Sequence, residues 1–183
     1  MVRTFIAIDI EDENVVQGIV SFQRELVKYG KFKIVKPENL HITLKFLGEV
    51  DPSKIDIIAK VLDDIETNTF EIRFRGLGCF PSPARPNVVW VGVSEDNSSL
   101  LHIWSYIEDQ LQKYGFQRER RGFKPHLTIA RVKFISNRQG FRNLIYRYQG
   151  FELGVQKVSS IKLKKSVLTP TGPVYSDLHV KAF

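Results

Sequence analysis

His41-Ile42-Thr43-Leu44 and His126-Leu127-Thr128-Ile129 carry one pattern, histidine–apolar–threonine–apolar, once in each half of a 183-residue chain. Side chains alternate faces along a β-strand. His41 and Thr43 therefore share one face while Ile42 and Leu44 occupy the other, and the second copy behaves alike. Each strand buries an aliphatic pair and presents an imidazole beside a hydroxyl. A single copy means little, because a strand histidine is usually a hydrogen-bonded surface or half-buried residue. Two matched copies point to one shared site.

Outward from these strands, elements of both kinds alternate. A strand is expected over 3–9. A helix over 12–29 follows, with Val15, Ile19, Phe22 and Leu26 on one face and Gly30 as its stop. The first His strand spans 40–47. Asp51-Pro52 then reads as an N-cap and first-turn proline for a helix carrying Ile58, Val61, Leu62 and Ile65. Strands at 70–76 and 88–93 flank a loop at Pro81, Pro83 and Pro86.

Asp96, Asn97 and Ser98 open a helix striped by Leu100, Trp104, Ile107 and Leu111, and a basic loop leads to the second His strand at 126–131. Ser136 or Asn137 caps a helix striped by Phe141, Leu144, Ile145 and Tyr148. Strands at 151–156, 158–168 and 174–182 close the chain, with Thr-Pro-Thr-Gly-Pro at 169–173 as the last turn. Interspersed helices and neighbouring strand pairs indicate an α+β fold with mainly antiparallel sheets. The repeated order of helix, His-x-Thr strand and helix suggests a duplication giving two pseudo-symmetric lobes. No dinucleotide or P-loop glycine motif occurs.

Lys and Arg outnumber Asp and Glu by 27 to 20, giving a net charge of +7, which favours polyanionic partners such as nucleic acid. The lone Cys79 excludes an intramolecular disulfide. The N-terminal apolar run is broken almost at once by acids, too early for a signal peptide or membrane span. The protein is expected to be cytoplasmic, without membrane association, and a monomer.

Two imidazoles and two hydroxyls suit phosphodiester chemistry. With an unperturbed pKa of about 6.5, one histidine can take a proton from water while the other gives one to the leaving alkoxide. Threonine hydroxyls can donate to the non-bridging oxygens, and cations can offset growing charge. Neither a metal nor a cofactor is required. His102 lies off its helix stripe and His179 lacks a Thr two residues on, so neither is assigned to the site.

Among the cations, Lys45 shares parity with His41 and Thr43 and is a candidate phosphate ligand. Arg131 has the wrong parity relative to His126 unless the strand ends or bulges at Ala130. Lys124 and Arg118, Arg120 and Arg121 precede the second motif, as loop cations or RNA contacts. Phe46, Phe80, Phe123 and Tyr175 are candidates for base stacking or for the core.

The two motifs, together with RTFIAIDI at 3–10, NLHITLKFLGEV at 39–50, NVVWVGV at 87–93, FKPHLTIAR at 123–131 and SVLTPTGPVY at 166–175, resemble the 2H phosphoesterase superfamily. The likeness is to its LigT-like branch, RNA 2′,3′-cyclic phosphodiesterases once named 2′-5′ RNA ligases, and it covers essentially the whole chain. It implies one bilobal domain over 1–183, with two antiparallel sheets, flanking helices and a cleft between the lobes. It implies His41 as proton donor, His126 as the acceptor that activates water, and Thr43 and Thr128 on the phosphate. Arg131 also matches a family position. The implied substrate is RNA ending in a 2′,3′-cyclic phosphate, or a related cyclic nucleotide, opened to a 2′-phosphomonoester. Two alternatives stand beside it: ligation of that end to a 5′-hydroxyl, and a non-catalytic RNA-end-binding module.

Overall fold

The computed structural model describes residues 1–94, 97–170 and 172–183. Asp96, expected among the helix-opening residues, and Thr171, in the expected last turn, lie outside the described residues. The described elements run β1 (Val2–Asp9), α1 (Glu13–Leu26), β2 (Gly30–Ile34), β3 (His41–Val50), α2 (Ile55–Asp63), β4 (Phe70–Phe80), β5 (Val88–Val93), α3 (Ser98–Gln112), β6 (His126–Ile135), α4 (Arg138–Arg147), β7 (Glu152–Val158), β8 (Ser160–Thr169) and β9 (Gly172–Ala182).

All described strand pairs are antiparallel. The strand order is β7-β4-β5-β6-β3-β1-β8-β9, with β2 also paired to β6. The expected α+β class is therefore observed, but in place of the two expected sheets there is one continuous nine-stranded sheet, whose order still shows the two halves. One lobe is β9-β8-β1-β3 and the other β7-β4-β5-β6, each ending on a His-x-Thr strand. They touch through one paired position, Ile42 opposite Leu127. Beyond it β3 peels away from β6, and β2 takes its place along Ala130–Ile135. That divergence separates β3 from β6 on one side of the motifs while keeping the sheet continuous at them.

The helices are exchanged between lobes. α1 follows β1 in the chain but packs on β2, β6 and β7, whereas α3 follows β5 but packs on β3 and α2. α2 and α4 stay with their own lobes, on β8 and β9 and on β4. Side-chain oxygens of Asp12, Asn97 and Asn137 cap α1, α3 and α4 by accepting from Val15, Leu100 and Gly140 N–H. A single apolar core, which includes Ile8, Ile42, Leu127 and Ile129, draws on both lobes.

Several expectations need correction. The helix expected over 12–29 stops at Leu26, passes through a 3-10 turn at Val27–Tyr29, and gives way to β2. This short edge strand alternates Lys31 and Lys33 outward with Phe32 and Ile34 inward, and Gly30 opens it because a Cβ there would collide with the Phe134 carbonyl. Asp51 caps a 3-10 turn at Pro52–Lys54 that leads into α2, not α2 itself. β4 continues past a bulge at Gly76 to Phe80. The buried stripe of α3 is Leu100, Ile103, Ile107 and Leu111. Trp104 sits beside that stripe, half-exposed and stacked on Phe123 with ring centroids 5.3 Å apart.

Ile42 and Leu127 are both fully buried at the junction. Ile42→Ala is expected to cost about 2–5 kcal/mol of stability, measured by urea denaturation. A loss below about 1 kcal/mol would show that the junction is not a principal packing contact.

Candidate active site

Antiparallel register around Ile42 and Leu127 sets each motif histidine opposite the other motif's threonine. His41, Thr43, His126 and Thr128 are all half-buried, whereas Ile42, Leu44, Leu127 and Ile129 are buried. The alternation read from the sequence thus holds through both tetrapeptides.

The two imidazoles are oriented in the same way. His41 Nδ1 donates to the Asn39 carbonyl and His126 Nδ1 to the Lys124 carbonyl, each at 2.7 Å and each two residues back. A carbonyl can only accept, so Nδ1 holds the proton in both rings and Nε2 keeps its lone pair when the ring is neutral. Aromatic side chains hold the rings in place. Phe5 and Tyr175 lie against His41 at centroid distances of 5.0 and 5.4 Å, and Phe80 meets His126 edge-on at 5.1 Å. Phe80 in turn rests on Trp90, which can lie flat because Gly78 offers no Cβ to collide with the indole.

Burial holds the His41 imidazole below its ordinary pKa of 6.5. The bond to Asn39 and the charge of Asp9 pull it up, and Lys164 and His126 push it down. Asp9, the cross-strand neighbour of His41, belongs to a charged network. Lys164 Nζ donates to Asp9 at 2.8 Å and to Asp177 at 2.6 Å, and Lys162 Nζ donates to Asp9 at 2.9 Å and Glu11 at 3.0 Å. Burial pushes the Asp9 carboxyl up, but the bonds and charges of Lys164 and Lys162 outweigh it and hold Asp9 below its ordinary value.

A family profile described as "AKAP7 2′5′ RNA ligase-like domain" matches residues 4–176. The chain belongs to this family. An RNA 2′,3′-cyclic phosphodiesterase of Archaeoglobus fulgidus is 39% identical over 178 residues, covering 97% of this chain and 98% of that protein. Another, of Methanocaldococcus jannaschii, is 41% identical over 173 residues, covering 94% and 96%. The fold matches the crystal structure of TT0787 of Thermus thermophilus, with a TM-score of 0.81 and 26% identity over 98% of this chain and 97% of that one. It also matches E. coli LigT complexed with 3′-AMP, with a TM-score of 0.78 and 24% identity over 100% and 98%.

Within this family's fold, two bulges decide which cations reach the motifs. On β6, Trp90 pairs with Thr128 but Val89 pairs with Ala130, so Ile129 and Ala130 together oppose a single step of β5. Parity is reset, and exposed Arg131 returns to the face of His126 and Thr128. Burial raises the phenol of Tyr175, the neighbour of His41, above its ordinary pKa, and the charge of Arg131 is among those that oppose the rise. On β3, Ala7 pairs with Thr43 but Ile6 pairs with Lys45, the matching bulge. Here the consequence is opposite. Lys45 turns to the helix-covered face, against the sequence expectation, and Phe46 takes the place equivalent to Arg131 with 74% of its surface exposed.

Lys45 is thus corrected from phosphate ligand to core cation. Its Nζ lies 2.7 Å from Glu108 and 2.8 Å from the Gln117 carbonyl, and Glu108 also accepts from Glu119 N–H at 2.9 Å. The side chains of the pair are 5% and 0% exposed. Glu108 stands as far from its helix cap, Asn97, as Gln23 stands from Asp12. Gln23 is buried and donates to the Val35 and Ile129 carbonyls at 2.8 and 2.9 Å. Each exchanged helix therefore fastens the bulge that follows the other lobe's His-x-Thr.

The remaining candidates separate. Arg118 pairs with Asp109 at 2.7 Å, and Phe123 is stacked on Trp104. Arg120, Arg121 and Lys124 are exposed in the loop before β6. His102 is exposed on α3, and His179 bonds Asp63 at 2.7 Å. Lys33, the cross-strand partner of Arg131, and the Asp9–Lys164 pair escape the sequence reading. Lys162 and Lys164 do alternate on β8, which is a usable signal. Among the described residues no group of three or more His, Cys, Asp or Glu side chains is placed to hold a metal ion, and no helix is long and apolar enough to cross a membrane.

Lys45→Ala leaves a carboxylate buried without its partner. The expected result is a loss of about 3–5 kcal/mol in chemical denaturation, with KM little changed below the unfolding transition. A raised KM at unchanged stability would return Lys45 to the phosphate.

Proposed function

We propose that this chain is an RNA 2′,3′-cyclic phosphodiesterase that uses His41 and His126 as an acid–base pair and needs no metal. The observation that carries the reading is the convergence of two identically oriented imidazoles, one from each lobe, with each Nε2 left available. Names of relatives near 40% identity over almost the whole chain support the substrate class.

In-line displacement at phosphorus puts nucleophile and leaving group on opposite sides, which suits one histidine from each wall of a cleft. In this reading neutral His126 Nε2 takes a proton from water as its oxygen bonds to phosphorus. The P–O3′ bond breaks, and protonated His41 Nε2 delivers a proton to O3′. The products are a 2′-phosphomonoester and a free 3′-hydroxyl. His126 has gained the proton that His41 has lost, and exchange with solvent resets the pair. Thr43 and Thr128 hydroxyls donate to the non-bridging oxygens, and Arg131 balances the charge that builds on them. We further propose that the protein works as a monomer in the cytoplasm.

The test is incubation with an oligonucleotide ending in 2′,3′-cyclic phosphate, with EDTA present and a 5′-hydroxyl acceptor in a parallel tube. The expected product in both is the 2′-phosphate. His41→Ala and His126→Ala should each lower kcat by at least about 10²–10⁴-fold while retaining the fold by circular dichroism. Loss of activity in EDTA would overturn the mechanism, and a joined product would favour ligation.

The roles of the two histidines can be separated by pH. In the alkaline limit kcat/KM tracks how readily the acid holds its proton, and in the acidic limit it tracks the base. Asp9 raises the pKa of His41. Asp9→Asn should therefore lower kcat/KM on the alkaline side and leave the acidic side unchanged. A gain on the acidic side instead would make His41 the base.

A further inference from the structure

A groove of about 500 Å³ lies between the 81–87 loop, the end of β6 and the first turns of α4. Four cations line it, Arg85, Lys133, Arg138 and Arg142, and no acid does. All four are exposed, and among the described residues none has a carboxylate within salt-bridge distance. Phe134 also lines the groove and leaves 60% of its surface exposed. Unpaired cations beside an open aromatic ring are the chemistry of single-stranded nucleic acid binding, in which the cations track phosphates and the ring stacks on a base.

The groove is built onto the active site. Its loop leaves β4 at Phe80, the ring set against His126, and returns to β5 at Val88, the cross-strand neighbour of Arg131. Asn87 N–H donates to the Phe80 carbonyl at 2.8 Å, closing the loop, and the Asn87 carbonyl accepts from Val132 N–H at 2.9 Å, docking it on β6. From Thr128 to Ile135 β6 advances roughly 20 Å, a span of a few nucleotides. Arg131 and Lys133 lie on that path, and Lys33 stands beside Arg131 on β2.

We propose that this groove holds the body of the RNA strand whose cyclic-phosphate end lies between His41 and His126. The proposal rests on the phosphodiesterase reading above and adds a second contact region to it. A cyclic mononucleotide would use the motifs alone, and a longer strand would use both regions.

The test compares the wild-type protein with the double variant Arg138→Gln, Arg142→Gln, both on the exposed side of α4. Substrates are 2′,3′-cyclic AMP and an RNA of about ten nucleotides ending in the cyclic phosphate, a length within the range that single-strand sites cover. The variant should raise KM for the longer RNA about tenfold, leave kcat and cyclic AMP turnover unchanged, and flatten the salt dependence of RNA binding by about 0.7 in log–log slope per lost phosphate contact. Fluorescence polarisation with a 5′-labelled RNA bearing a plain 3′ end reads the groove without catalysis. Weaker binding by the variant supports the proposal even if neither substrate is hydrolysed, an outcome that would sink only the phosphodiesterase reading. Equal RNA affinity and KM in variant and wild type would overturn the proposal, as would an equal loss on cyclic AMP.

Discussion

One backbone pairing, Ile42 opposite Leu127, governs the geometry of the molecule. Both side chains are sealed in the core, so the strands bearing them cannot slide by one residue without turning the aliphatic pairs into solvent and the histidines into the interior. Burial of the apolar half of each tetrapeptide thus positions the polar half. The sheet is continuous at that point and divided beyond it, which brings the motifs together while leaving space above them.

The matched bulges add a second level of control. The same distortion, one step after each motif, draws lysine inward on β3 and sends arginine outward on β6. A pseudo-symmetric scaffold thereby acquires asymmetric walls, with exposed Phe46 on one side and Arg131 on the other. An internal amide and an internal carboxylate, Gln23 and Glu108, stand at equivalent places and satisfy these two irregularities with different chemistry. An extra strand residue leaves backbone groups unpaired, and buried groups of that kind need partners. On β6 Gln23 supplies one to the Ile129 carbonyl, whereas on β3 Glu108 holds the side chain that the bulge turns inward, Lys45.

Much of this is legible in the sequence, and the parts that are not share a cause. His41, Thr43, His126 and Thr128 can be placed on one face because period-two alternation is local. The same rule misplaces Lys45 and counts against Arg131, since a bulge inserts one residue and the pattern carries no mark of it. Trp104 fits the buried stripe of α3 by spacing, yet Ile103 fits as well and packs more tightly beside Ile107. The short strand β2 is hidden behind a helix that ends three residues early. The Asp9–Lys164 pair joins opposite ends of the chain, and only a known strand order makes them neighbours.

The exchange of α1 and α3 has a mechanical consequence. Each lobe is roofed by a helix that the chain delivers from the other, so widening the angle between them would peel α1 from β6 or α3 from β3. Hinge motion is therefore opposed by two sets of apolar contacts at once. The acid–base mechanism proposed above would tolerate little drift, since a displacement of about 1 Å can cost on the order of 100-fold in rate. The interlaced roof acts as a brace across the junction that brings the two imidazoles together, so that the span between the rings is held from both sides.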